Sequence, residues 1–150
     1  MKNLFKIKKG FTLVELLIVV AIIGVLATLL MANFIGIRQR ARDAQRKADV
    51  RQVQSALEFY RSDQGSYPVS LPYCGSTFTG GSPPSTYMQK LPCDPLGNTF
   101  YNSGSYKYTS GGSSYTLGAC LENTADTQGT ATSPGGNGCT SSWYYVVNNP

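Results

Sequence analysis

A single acid stands inside a stretch of membrane-spanning length. From Phe11 to Ile37 the chain reads FTLVELLIVVAIIGVLATLLMANFIGI, and Glu15 is the only ionisable side chain in it. As a helix this stretch is about 40 Å long against a hydrocarbon core of about 30 Å, so it can span with length to spare. An uncompensated carboxylate there costs roughly 2.5–3.5 kcal/mol on insertion scales, which marks Glu15 as a functional residue in need of a partner. The competing reading is that Glu15 lies at headgroup level and snorkels.

Ahead of the run stands the decapeptide MKNLFKIKKG, with Lys2, Lys6, Lys8 and Lys9. A conventional secretory signal also has a basic start, but its apolar core is about 7–15 residues and ends at a small-x-small cleavage site. The present run is longer, and Leu30-Met31-Ala32 is a poor cleavage match. The lysines predict a cytoplasmic amino terminus, a single membrane pass and export of everything beyond it.

The decapeptide resembles the leader of prepilins, and GFTLVELLIVVAIIGVLA resembles the cleavage and assembly segment of type IV pilins and type II secretion pseudopilins. The resemblance implies cleavage by a membrane prepilin peptidase between Gly10 and Phe11, with N-methylation of Phe11. It further implies assembly into a homo-oligomeric helical filament, in which Phe11 and Glu15 set register, by way of an inner-membrane assembly platform. Elementary electrostatics agrees, because a new ammonium on Phe11 of one subunit can neutralise Glu15 of a neighbour within packed helices. The fold implied is α+β, a pilin-like lollipop with one long amino-terminal helix packed on a small antiparallel sheet. Residues 1–10 would be the leader, 11–37 the membrane and filament-core helix, 38–62 its amphipathic continuation and 63–150 a disulfide-stabilised β-rich head. Many pilins carry a proline where this chain has Ala32 and Asn33, so the family's kink is not expected here.

The net charge of +5 misleads, since four of the 13 basic residues lie in the leader and nine remain against eight acids. The mature product is nearly neutral, and bulk affinity for nucleic acid does not follow from the pI. The arginine-rich stretch Arg38–Arg51 is a candidate polyanion patch, but i,i+3 and i,i+4 spacing of Asp43 with Arg46 and Lys47 reads better as a solvated face laced with weak pairs. Ala41, Ala44 and Ala48, followed by Val53, Leu57 and Tyr60, make the stretch amphipathic, and Val53, Leu57 and Tyr60 at i, i+4, i+7 mark the face on which a small domain docks.

Gly65 and Pro68 stop the helix. Short alternating runs at 99–101, 106–109, 114–117 and 143–147, separated by turn clusters, predict a small sheet with Tyr106, Tyr108, Tyr115, Leu117, Trp143, Tyr145 and Val147 toward the helix. Cys74, Cys93, Cys120 and Cys139 all fall in this part. Four cysteines allow three pairings. Cys74–Cys93 with Cys120–Cys139 is favoured, each closing a loop of about 20 residues worth about 3 kcal/mol in the chain-entropy model. The second pair also resembles the carboxy-terminal loop of many pilins. Zinc is disfavoured, because the chain lacks histidine and CxxC spacing.

The segment Leu91-Pro92-Cys93-Asp94-Pro95-Leu96-Gly97-Asn98 resembles the LPxDPWG region of major pseudopilins, with Leu96 in place of tryptophan. That family holds calcium near its carboxy terminus, and Glu122 and Asp126 are the only local candidates for an oxygen site, two acids being few for calcium. Asp94 reads as a turn former rather than a catalyst. No enzymatic motif is present, and no cofactor is expected beyond the weak calcium candidate. The expected role is a structural subunit of a type IV pilus or related filament serving adhesion, motility or DNA uptake, extracellular or within the envelope after assembly. The alternatives are a major pseudopilin of type II secretion and, from another class, a secreted disulfide-rich binding domain.

Overall fold

The computed structural model describes residues 10–97, 104–135 and 139–149, with backbone alone at positions 32 and 33. Two compact units divide between Ile37 and Arg38. The first holds the apolar part of helix α1 (Leu13–Gln64). Its Leu13–Met31 portion, 19 residues with mean hydropathy 2.9, is long and apolar enough to cross a membrane. Each described side chain from Phe11 to Ile37 is exposed, so none of this surface is buried against the chain itself. The helix starts at Leu13 rather than Phe11, which leaves Gly10 and Phe11 outside it.

In the second unit α1 runs on from Arg38 and ends where Gly65 takes a positive φ of 77° and donates its N–H to the Arg61 carbonyl at 2.8 Å. Such a left-handed residue after the last turn is the usual glycine stop. The face turned to the core is Asp43, Arg46, Val50, Val53 and Leu57, at helical spacing. Ala41, Ala44 and Ala48 are exposed, contrary to the alanine pattern read from the sequence. Two charged residues occupy the stripe instead, and hydropathy alone cannot reveal them.

Among the described residues five short strands follow: β1 (Phe78–Gly80), β2 (Ser85–Met88), β3 (Lys107–Ser110), β4 (Tyr115–Cys120) and β5 (Tyr144–Asn148). They form two antiparallel sheets, β1-β2 and β3-β4-β5, where a single sheet was expected. β4 is central, with Leu117 opposite Tyr108 on one side and Val147 on the other. The run expected at 99–101 lies outside the described residues. Leu117, Ala119, Tyr115 and Tyr145 join Val50, Val53, Ala56, Leu57, Tyr67, Phe78 and Leu91 in one core, with Tyr60, Tyr106, Tyr108, Trp143 and Val147 partly buried around it.

The β1-β2 hairpin was not foreseen. It packs its aromatic residues on Tyr60, whose ring lies 5.4 Å from Phe78 and 5.1 Å from Tyr87. Gly80 permits the approach, for a Cβ there would sit 2.3 Å from Tyr60 Cε2. The disulfides are Cys74–Cys93 and Cys120–Cys139, with Cα atoms 5.0 and 5.6 Å apart, both within the usual range.

Candidate functional site

Two groups of residues carry the chemistry, one in each unit. In the first, Thr12 stands before the first helical residue and forms a reciprocal cap with Glu15. The Glu15 N–H donates to Thr12 Oγ1 at 3.2 Å, and Glu15 Oε2 accepts the Thr12 N–H at 2.8 Å and hydroxyl at 2.7 Å. This is the S/T-x-x-E capping box, which satisfies otherwise orphaned amides at a helix start. The Glu15 carboxylate therefore has a partner within the uncut chain. Sequence reasoning missed Thr12, although T-x-x-E ahead of an apolar run is a readable signature. Gly10 and Phe11 precede the helix in exposed, non-helical backbone, Phe11 being 82% exposed. A peptide bond there is accessible without unwinding a helical turn.

The second group is a buried charge cluster around Arg46, whose side chain is fully buried. Its Nε and Nη2 donate to the two oxygens of Asp94 at 2.7 and 2.9 Å in a fork. Its Nη1 donates to Asp43 Oδ1 at 2.8 Å and Glu122 Oε1 at 2.7 Å. Such bidentate, charge-assisted bonds are the strong kind. Burial alone would lower the Arg46 pKa, yet hydrogen bonds to Asp94, Glu122 and Asp43 outweigh it and the guanidinium is held charged more firmly than usual. Arg42 adds its Nε at 2.7 Å to Glu122 Oε1 and its Nη2 to Glu122 Oε2. The Arg42 hydrogen bond, foremost, and then Arg46 hold the Glu122 carboxyl below its ordinary range against the effect of burial.

Asp43 also accepts backbone N–H groups from Glu122 at 2.9 Å and Asn123 at 2.8 Å, so it anchors the chain as it leaves β4. Lys47 reaches Asp126 Oδ2 at 2.6 Å and Gln128 Oε1 at 3.0 Å, and lowers the Asp126 pKa. From the other side, Trp143 Nε1 donates to the Asp126 carbonyl at 3.1 Å. Among the described residues no buried side-chain nitrogen or oxygen lacks a partner.

One sequence expectation is corrected here and another is extended. The Arg38–Arg51 stretch is not simply a solvated face: Asp43 and Arg46 are 2% and 0% exposed, and their pair is part of the core. Its remote partners, Asp94 and Glu122, are what removes it from water, and sequence spacing cannot show them. Asp94 does form a turn, its Oδ1 accepting the Leu96 N–H at 2.9 Å, but it also forks Arg46.

The calcium candidates fit a metal poorly. Both oxygens of Glu122 are held by guanidinium groups, Asp126 Oδ2 is held by Lys47, and Oδ1 accepts the Gln128 N–H at 2.9 Å. The carbonyls of Asn123 and Asp126 are engaged as well, by the Asp126 and Gly129 amides at 3.2 and 3.1 Å. Calcium needs six to eight oxygen ligands, as a rule, and here those oxygens face cations.

A basic amino-terminal decapeptide, a capped apolar helix with its acid at the first turn, and a small antiparallel β-domain define a protein of the pilin-like class. Residues 5–31 match the prokaryotic N-terminal methylation motif, and residues 33–133 match the family described as type II secretion system, protein G. The chain belongs to the type II secretion system protein G family. It is 31% identical over 131 residues to the type II secretion system core protein G of Vibrio cholerae, covering 79% of this chain and 85% of that protein. The same-named protein of Escherichia coli K12 is 32% identical over 101 residues, 62% of this chain and 70% of that one. That of Pseudomonas aeruginosa is 33% identical, covering 62% and 71%. No solved structure matches. The family places the chain with the pseudopilin alternative rather than with the pilus subunit first read from the sequence, which is a broader, related class.

Proposed function

We propose that this chain is the repeating subunit of a type II secretion pseudopilus, a structural protein without a catalytic step of its own. The observation that carries this is the family match across residues 33–133, joined to a methylation motif on the preceding helix. In this reading the protein waits in the membrane with its amino terminus cytoplasmic, a prepilin peptidase cuts between Gly10 and Phe11, and Phe11 is N-methylated. The described apolar side chains of residues 11–37, exposed on the single chain, then exchange lipid for neighbouring helices on the assembly platform. Glu15 leaves the Thr12 cap and pairs with the Phe11 ammonium of a neighbour. A charge that is costly in hydrocarbon thereby selects subunits at one register.

The test is a gene deletion complemented with wild-type or Glu15→Ala chain, reading the extracellular proteome and the amino-terminal peptide by mass spectrometry. Wild type should restore protein release and yield a peptide starting at N-methyl-Phe11. Loss of surface pili with unchanged protein release would return the chain to the pilus class. A start at Met1 or near Asn33 would remove the processing account altogether.

A further inference from the structure

We infer that Arg42, Arg46 and Lys47 of helix α1 take the place of a bound calcium ion, clamping the loop 121–130 so that the second unit folds without any divalent cation. This goes beyond the filament assignment and does not depend on which filament the chain builds.

Three observations carry it. First, the acids that face this loop are neutralised from within the chain. Glu122 lies between two guanidinium groups, and Asp126 meets an ammonium at 2.6 Å. A metal entering here would have to expel a cation that is tied to the helix backbone, and would gain little because the carboxylate charge is already matched. Second, the three cations perform the connection that a loop-bound metal performs, drawing separate parts of the loop to a common point. Arg42 and Arg46 hold its start at Glu122, and Lys47 holds its middle at Asp126 and Gln128. Asp43, itself fixed by Arg46, takes the Glu122 and Asn123 amides, so the backbone is held as well as the side chains. Third, the loop's carbonyl at Asp126 is turned to the Trp143 indole and the Gly129 amide, leaving it committed to the protein. The remaining fastening is covalent, since Cys120, directly ahead of the loop, is bonded to Cys139.

The chain's one tryptophan reports on this loop, because Trp143 lies on Gly129 and donates to Asp126. The experiment uses the full chain purified in detergent micelles after stripping with EGTA. Thermal unfolding is followed by Trp143 emission in EGTA, in millimolar calcium chloride and in millimolar magnesium chloride. The midpoint and emission maximum should coincide in all three. A saturable rise of the midpoint specific to calcium overturns the inference. The clamp itself is tested at its margin with Lys47→Gln, which leaves the Arg46 cluster intact. That variant should red-shift Trp143 and speed proteinase K cleavage within 121–130 several-fold in all three solutions, and Lys47→Arg should restore both. Unchanged emission and cleavage in Lys47→Gln, or a calcium response in the wild type, would each show that the cations do not hold the loop.

Discussion

Replacing Arg46 with methionine keeps much of the side-chain volume and deletes the guanidinium. Three carboxylates then lose their shared cation: Asp94 and Asp43 have side chains 1% and 2% exposed, and Glu122 7%. Breaking a buried ion pair by removing one partner costs about 3–5 kcal/mol, because the other charge stays buried without compensation. Arg42 still serves Glu122, and backbone amides still serve Asp43, so the loss falls mainly on Asp94 and the lower half of that range, about 3 kcal/mol, is the expected value. At roughly 4 °C per kcal/mol for a domain of this size, the midpoint should fall by about 12 °C. The assay is unfolding of the detergent-solubilised chain followed at Trp143, with urea titrations to supply the free energy. Arg46→Met combined with Asp94→Leu removes both the fork and the stranded charge, and should recover at least half of the loss. A single-variant cost below about 1 kcal/mol, typical of an exposed pair, would refute the argument, as would additive losses in the double variant.

Other outcomes follow from the same geometry. Acid should loosen the second unit: Glu122 and Asp126 have folded pKa values held below their ordinary 4.5 and 3.8, so their contribution is complete above those values and is lost as pH falls through the lowered ones. Asp49, raised by burial against the opposing pull of the Tyr106 hydrogen bond, works in the opposite sense and softens the slope, so an acid titration of the midpoint should show stability falling as pH drops below about 4. Gly129→Ala would bring a Cβ within 1.9 Å of Trp143 Nε1, so the indole must leave Asp126, and emission should red-shift with a loss of about 1–3 kcal/mol. Replacing Cys120 and Cys139 together by serine should cost about 3 kcal/mol in denaturant titration, since the bond closes a separation of 19 residues. A loss below 1 kcal/mol, roughly, would mean that the charge cluster alone fixes the loop.

How far the residues foretold this structure depended on whether the deciding partners were near in sequence. The apolar run, its acid and the basic decapeptide ahead of it are contiguous, so Gly10, Phe11 and Glu15 stood out, and helix termination at Gly65 rests on one residue's backbone freedom. Strands β3, β4 and β5 were legible to within a few residues from alternating tyrosines. The β1-β2 hairpin was not, because strands of three and four residues among Gly, Ser and Pro offer no period to read. Thr12 was legible but overlooked beside the more conspicuous Glu15. Arg46 was not legible: its fork to Asp94 spans 48 residues and its bond to Glu122 spans 76, so in sequence it is one arginine among several on a soluble-looking helix.

The two disulfides neither overlap nor nest, since Cys93 is reached before Cys120. Each cysteine's partner is therefore its nearest unpaired neighbour along the chain. Were the cysteines to become available for oxidation in sequence order, each would meet the correct thiol first both times. Oxidation in order of arrival would give the native pattern.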